Sequence, residues 1–588
     1  MKENLLSALH ELSHYYHEFS NLDIKEVIPS SEVKLVDGIL YCDTINHALL
    51  YLVNKVKGTE ITINHHFKTF GTMIDLSRNA VFTVDYMKDV IRKQALLGVN
   101  RIMMYLEDTY EVEGEPYFGY MRGRYSIDEL KQIVAYAKIF DVEIIPCIQT
   151  LGHFGQFLRW GYNDPLKDLQ TVIMTEIDAA YVFIERLIKT CKAAFNTDKI
   201  HIGMDETFGL GFGKYIKKFG YKPQYEVFVN HLKRVNDICL TQGFNQVMIW
   251  SDMFFRISSE KEEYYDLSVQ IEEHIKNDIP SNVELVYWDY YNWRNDIVDA
   301  MLKKHLEFSN KTIMASGTWI WTRLNYDKVQ TDRTAKVHVD ECIKNGIDEI
   351  YFTQWNDDGA PCNYETVFLG MSDMAGYALT NEKQCSKESF DMVTYSSYED
   401  SLLVAKLNES PTSPLPLLWD DPLLGIHLNN ETKRDEAVIE KSIAFFNEYL
   451  SQLKLNSDHF EMNHTLALTK LLKTKLEVRK ALLQAYHNKT SLLDIIPLCE
   501  QAVIETENVS RSYRKMWLSR YKAFGLDVMQ SRLATLACRF KETIERIREY
   551  EEGIIKQIDE LEEKVGPYQI NRMNHMNVAF SSIHVLGY

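Results

Sequence analysis

The segment KIHIGMDETFG, Lys199 to Gly209, sets two carboxylates, Asp205 and Glu206, side by side at the end of an apolar run. Adjacent side chains of a β-strand point to opposite faces, so both acids can line one pocket only if the strand ends before them. Other apolar runs close on residues of the same character: Asp75 and Arg78, Glu107 and Asp108, Gln149 with His153, Trp250 and Asp252, Trp288 and Tyr290, Trp319 and Trp321, then Trp355, Asp357 and Asp358. The chain has 9 Trp, and five of them fall at these ends, where a purely structural account would scatter them through the helix-packing layer. Aromatic faces beside carboxylates and a lone Arg match a sugar, whose C–H faces stack and whose hydroxyls take charge-assisted hydrogen bonds. A two-carboxylate glycosidase places its acids on either side of the scissile bond, about 5 Å apart when retaining and farther when inverting. Neighbours in sequence suit neither arrangement. They suit a substrate-assisted reaction, in which the sugar's own 2-acetamido oxygen attacks the anomeric carbon, one acid orients that amide and the next protonates the leaving oxygen.

The elements that must position these residues read as β/α alternation. The runs GTMIDLSR, RIMMYLED, VEIIPCIQT, KIHIGMDE, QVMIWSDM, VELVYWDYY, TIMASGTW and EIYFTQWND are separated by helix-period segments such as VDYMKDVIRKQALLG and EVFVNHLKRVNDICLTQG. Eight strands each followed by a helix predict an α/β fold, a (β/α)8 TIM barrel over residues 67–385 with parallel strands and its chemistry at their C-terminal ends. Residues 1–66 predict a small α+β domain: a helix, the strand-like VKLVDGILYCD, a helix around HALLYLVNKV and the strand TEITINHH, whose His65 and His66 close an edge strand. Residues 386–588 include the Pro-rich NESPTSPLPLLWDDPLLG, read as a linker or clamp segment, and continue in long amphipathic stretches that predict an all-helical C-terminal domain. A helical domain of this size suggests scaffolding, and a two-fold homodimer is the expected assembly.

Composition narrows the function further. A formal charge of −19 repels phosphate-rich partners, so nucleic acid is excluded as a first reading. The N-terminal MKENLLSALHELSHYYHEFSN is broken by Glu3, His10, Glu11 and His14, which suits an amphipathic helix rather than a signal peptide. No apolar run approaches the roughly 18 residues a bilayer span needs. The 9 Cys are scattered without CxxC pairs, as buried thiols in a reducing compartment would be, so a cytoplasmic protein is expected.

HIGMDE resembles the HxGxDE signature of the β-N-acetylhexosaminidases of glycoside hydrolase family 20. The resemblance extends along the barrel: MIDLSRN looks like the family's first-strand segment with its sugar-binding Arg, here Arg78, and YLED and LGHF look like its strand-two Asp and following His, here Asp108 and His153. Trp250, Trp288 and Trp355 fall where the family walls its pocket with Trp, and Asp357 where an acid holds the sugar's outer hydroxyls. Small domain, barrel and helical domain in this order look most like the bacterial intracellular exo-acting branch. The resemblance implies that Asp205 binds the acetamido N–H and stabilises an oxazolinium-like intermediate, that Glu206 is general acid and then base, and that His153 with Asp108 supports the pair. It implies a substrate with a terminal N-acetylhexosamine, no metal and no cofactor.

The chain departs from the family at strand seven, where GTWIW lacks the Tyr that meets the acetamido carbonyl; Tyr290, sharing a strand face with Trp288, is the substitute. Trp319 and Trp321 then either close the pocket or form a shelf for the aglycone. LED at strand two leaves open whether Glu107 or Asp108 faces inward. Two rivals stand beside this reading: a two-carboxylate glycosidase with Glu206 as acid and Asp357 or Asp252 as nucleophile, and an inactive sugar-binding protein that keeps the stacking Trp. A metal-dependent amidohydrolase on the same fold wants an HxH pair after strand one, where this chain has Asp75.

Overall fold

The computed structural model describes residues 2–357, 359–455 and 459–564; Asp358 lies outside them. The chain opens with a helix, Lys2–Ser13, and a three-stranded sheet of β1 (Glu26–Pro29), β2 (Lys34–Val36) and β3 (Ile39–Cys42) in the order β1-β3-β2. VKLVDGILYCD, expected as one strand, is a hairpin: Asp37 and Gly38 take positive φ of 51° and 81° and turn β2 back on β3, the backbone an Asp-Gly turn favours. β1 pairs parallel to β3 and was not foreseen. The stretch TEITINHH is no strand and makes only a single bridge, Ile63 to Thr380. His65 and His66 therefore close no sheet edge. The Nδ1 atoms of His47 and His65 both lie 2.9 Å from the Asp43 carboxylate, and His66 Nε2 donates to the Ile347 carbonyl.

Eight parallel strands close the barrel as expected: β4 (Thr69–Asp75), β5 (Arg101–Tyr105), β6 (Glu143–Cys147), β7 (Lys199–His201), β8 (Gln246–Trp250), β9 (Val283–Trp288), β10 (Thr312–Gly317) and β11 (Glu349–Gln354). Closure is made by β11 on β4, from Glu349 opposite Thr69 to Gln354 opposite Ile74. The interior is an apolar plug that includes Met73, Met103, Ile145, Met248, Val286, Ile313 and Tyr351, as a filled barrel requires. β7 is the shortest strand of the barrel and meets β6 only at His201 opposite Cys147, so the chain leaves the sheet before Asp205.

Beyond the barrel the chain is helical, with long helices Phe460–Asn488, Ile496–Arg520 and Leu526–Glu551. Of the two readings of the Pro-rich segment, the linker does not hold: Pro414–Trp419 is a helix with every residue buried, and Pro at its start suits a first turn whose N–H groups need no partner. The helical region grips the barrel. Thr83 N donates to the Arg520 carbonyl (2.9 Å), Lys522 N to the Val81 carbonyl (2.8 Å), and Tyr513 Oη to the Pro361 carbonyl (2.8 Å).

Candidate active site

After β7 the backbone passes through Gly203 (φ 70°), Met204 (72°) and Glu206 (46°). Left-handed backbone at a residue with a side chain costs of order 1–3 kcal/mol and gathers at functional sites. Here it lets both acids approach one imidazole, since His153 Nε2 lies 3.1 Å from Asp205 Oδ2 and 4.0 Å from Glu206 Oε2. The His and Gly of the motif build this turn. His201 is buried with its ring 4.4 Å from that of Trp250, and its Nδ1 accepts from Gly203 N; burial pushes it down to about 3, so it is neutral. A Cβ on Gly203 would stand 2.1 Å from Gln149 Oε1. That oxygen accepts from Met204 N, while Gln149 Nε2 donates to Asp205 Oδ1 (2.8 Å).

His153 and Glu107 are themselves at positive φ, 57° and 41°. Glu107, not Asp108, faces the site. Its Oε1 accepts from Tyr105 Oη (3.0 Å) and lies 3.9 Å from His153 Nδ1 and 3.5 Å from Arg78 Nη2. The expected partnership of His153 with Asp108 is thus corrected: at Glu107 the backbone leaves the extended conformation, and Asp108 swings away to accept from Arg122 Nε (2.8 Å), whose Nη2 donates to the Ser77 carbonyl. Arg78 is held by Asp75 (3.2 Å), its guanidinium 4.9 Å from the ring centres of both Tyr105 and Trp355, and its Nε, 4.0 Å from Asp357, has no hydrogen-bond partner.

The electrostatics separate the two acids. Burial acts to raise Asp205, but His153 and Gln149 hold it below the usual carboxylate range. Burial raises Glu206, and the charge of Asp205 adds to that against the pull of His153. Burial would lower His153, yet Asp205 beside it brings the imidazole up to about 9. At neutral pH the arrangement is an ionised Asp205, a cationic His153 and a Glu206 shifted toward its protonated form.

The aromatic residues form two groups. Trp250 is buried at the top of the barrel plug, with Trp288 and Trp355 packed over it. Trp288 stacks on Tyr290 (5.4 Å between ring centres), and Trp319 stacks on Trp321 at 4.0 Å. Trp319 and Trp321 are 4% and 3% exposed, so they make a wall rather than an open shelf. Tyr290 Oη is buried without a hydrogen-bond partner.

Three neighbours, Phe208, Arg256 and Tyr264, escaped the sequence reading, and a fourth was given another role. Asp252, kept there only as a rival nucleophile, accepts from Glu206 N through Oδ2 (3.1 Å), and burial with Asp205 nearby raises its carboxyl well above the ordinary range. Tyr264 packs its ring against Trp288 (5.1 Å) and feels both Glu206 and Asp252. Arg256 is close enough to act on Glu206 and lies over Phe208 at 4.2 Å. Phe208 and Tyr264 lie on loops without periodicity and Arg256 in the short helix Asp252–Ser258 after β8, where no sequence signal marks them. Among the described residues one trio has metal-ligand spacing, Asp43, His47 and His65; His65 precedes the start of β4, on the barrel side away from these acids.

Residues 67–339 match the sequence profile described as "Glycosyl hydrolase family 20, catalytic domain", and residues 405–579 match that of the "Glycoside Hydrolase 20C C-terminal domain". Hexosaminidase D of Homo sapiens is 22% identical over 215 residues, 35% of this chain and 42% of that protein. The Bos taurus Hexosaminidase D is likewise 22% identical, over 59% of its length; the chain thus spans about half the length of these curated relatives. Among solved structures, the Flavobacterium johnsoniae chitobiase aligns over 85% of this chain and 90% of its own at 15% identity and a TM-score of 0.49. With one profile on the barrel and the other on the helical region, the chain belongs to glycoside hydrolase family 20.

Proposed function

We propose that the protein is an exo-acting, retaining β-N-acetylhexosaminidase that removes terminal N-acetylglucosamine or N-acetylgalactosamine by substrate-assisted catalysis. The observation that carries the reading is the unequal acid pair on one cationic histidine, Asp205 at 3.1 Å and Glu206 at 4.0 Å from His153 Nε2. Arg78 and Asp357 take the outer hydroxyls, and Trp288 and Trp355 offer faces to the ring. Ionised Asp205 accepts the acetamido N–H, and the unpaired Tyr290 hydroxyl donates to the acetamido carbonyl. The carbonyl oxygen attacks the anomeric carbon as Glu206 gives its proton to the leaving oxygen. Glu206, now a carboxylate, then takes a proton from water as that water opens the oxazolinium ring, and two inversions give retention. The Asp205 carboxylate stabilises the positive charge by fixed electrostatics, and His153, 3.1 Å from it, holds that carboxylate ionised and in place.

The two-carboxylate rival is disfavoured by Asp252, whose burial pushes its carboxyl well above the ordinary range, against the anionic form a nucleophile needs, and whose Oδ2 is taken by Glu206 N, and by Asp357, which lies beside Arg78. A panel of nitrophenyl glycosides tests the choice: hydrolysis of the 2-acetamido sugars and none of the plain glucoside is expected, and equal rates on both would overturn it. We further infer a homodimer and a cytoplasmic setting. Ile504 and Ile554, exposed on the helical region, support the first, and nine cysteines without a disulfide the second. No described helix is long and apolar enough to cross a membrane. Light scattering showing a monomer would remove the dimer.

A further inference from the structure

Glu206 must reach the oxygen of the departing group, so whatever surrounds its carboxyl on the side away from Arg78 meets that group. The barrel order fixes which side that is. Arg78, Glu107 and Asp357 follow β4, β5 and β11, which are neighbours, whereas Glu206 follows β7, with β8 next to it. The segments after β7 and β8, the latter including the helix Asp252–Ser258, bring three side chains to the acid. Phe208 N donates to the Glu206 carbonyl (2.8 Å), which ties the ring to the acid's own turn. Phe208 remains 38% exposed, and the Arg256 guanidinium, itself fixed by Glu262 at 2.7 Å, lies 4.2 Å from its ring centre. Tyr264 stands with its ring against Trp288, and its hydroxyl is buried without a hydrogen-bond partner.

An unpaired buried hydroxyl costs free energy unless a ligand meets it, and an aromatic ring held by a cation while partly open to solvent is a stacking surface. We propose that Phe208, Arg256 and Tyr264 form a leaving-group subsite that takes a pyranose: the sugar ring lies against Phe208, one of its hydroxyls accepts from or donates to Tyr264 Oη, and Arg256 holds the Phe208 ring in place. The proposal rests on the glycosidase reading above and adds that the natural substrate ends in a saccharide, not in an alkyl or lipid aglycone. The alternative shelf of Trp319 and Trp321 is closed by their own stacking.

The test compares kcat/KM for disaccharides bearing a β-linked N-acetylglucosaminyl group with that for the methyl β-glycoside of the same sugar. Both leaving groups need a proton from Glu206, and only the disaccharide brings a second ring. Phe208→Ala is expected to lower the disaccharide-to-methyl ratio by about ten-fold and Tyr264→Phe by about three-fold, mainly through KM. Should Phe208→Ala fold poorly, Phe208→Leu keeps an apolar side chain and Tyr264→Phe removes one oxygen, so both still report. A ratio unchanged in these variants, whether the two rates hold or fall in parallel, overturns the subsite. A wild-type enzyme inert on both substrates would overturn the glycosidase reading itself, and the subsite with it.

Discussion

Asp205 and Glu206 meet the proton differently although they are neighbours, because Asp205 has both Gln149 and the His153 charge while Glu206 has the more distant share of that charge and the repulsion of Asp205. Glu206→Gln should therefore cost about 10²–10⁴-fold on alkyl glycosides, whose departure needs a proton, and much less in the first step on substrates with an acidic leaving group. Asp205→Asn should harm both alike, because the acetamide must be oriented whatever leaves; leaving-group series on the two variants check this. His153 supplies a pH signature. Its value rises from 6.5 unfolded to about 9 folded, so its contribution to stability is complete below pH 6.5 and is lost as pH rises through about 9. Wild-type Tm should fall across that window, and His153→Gln should show a lower Tm at pH 6 and a flatter profile, read by calorimetry. The acids and His153 were legible from residue type and spacing. The choice of Glu107 over Asp108 was not, because consecutive residues at a strand end exchange faces when one φ changes sign, and Glu107 is the residue that changes it.

The barrel strands were legible as elements because each is an apolar run of the right length between helix-period segments, and no special turn is needed to define them. What the pattern does not carry is where a strand stops. β7 ends at His201, and the left-handed residues after it, with His201 accepting from Gly203 N, convert the rest of the run into the turn that presents the acids. The same local backbone chemistry splits VKLVDGILYCD at Asp37–Gly38, and the helix Pro414–Trp419 comes from burial that Pro content alone conceals. Gly203→Ala tests the turn. Its φ of 70° would strain a side chain by roughly 1–3 kcal/mol, and the added Cβ would press on the Gln149 oxygen that anchors the segment. The expected result is a lower Tm together with a kcat loss of at least about ten-fold, since Gln149 also holds Asp205; a variant of normal kcat would show that the turn tolerates displacement.

At the scale of the whole molecule, the helical region read from sequence as a scaffold is also the outer support of the Arg78 loop. Trp517 Nε1 donates to the Lys522 carbonyl (2.9 Å) and fixes the turn that follows Ile496–Arg520. At the end of that turn Gly525, with φ of 88°, packs so closely that a Cβ would stand 2.7 Å from the Asn79 Cβ and 2.8 Å from the Asn79 carbonyl. Asn79 adjoins Arg78, and its Nδ2 in turn faces Gly359 on the loop that carries Asp357. Amphipathic periodicity shows that helices have an apolar face and is silent on which neighbour it covers, so this coupling over more than four hundred residues of sequence was invisible. Gly525→Ala should act on the pocket without touching it. Positive φ and the tight contact both oppose the added methyl, and relief by displacing Asn79 would move the Arg78 guanidinium proposed to take the outer hydroxyls. The expected outcome is a several-fold rise in KM for N-acetylhexosaminides with a smaller change in kcat, accompanied by a fall in Tm. Gly553→Ala, at a positive φ of 72° in the same region, serves as control, because a Cβ there meets nothing within 4 Å. It should lower Tm through the backbone alone and leave KM where it was; a KM that moves equally in both variants would dissolve the link between the helical region and Arg78.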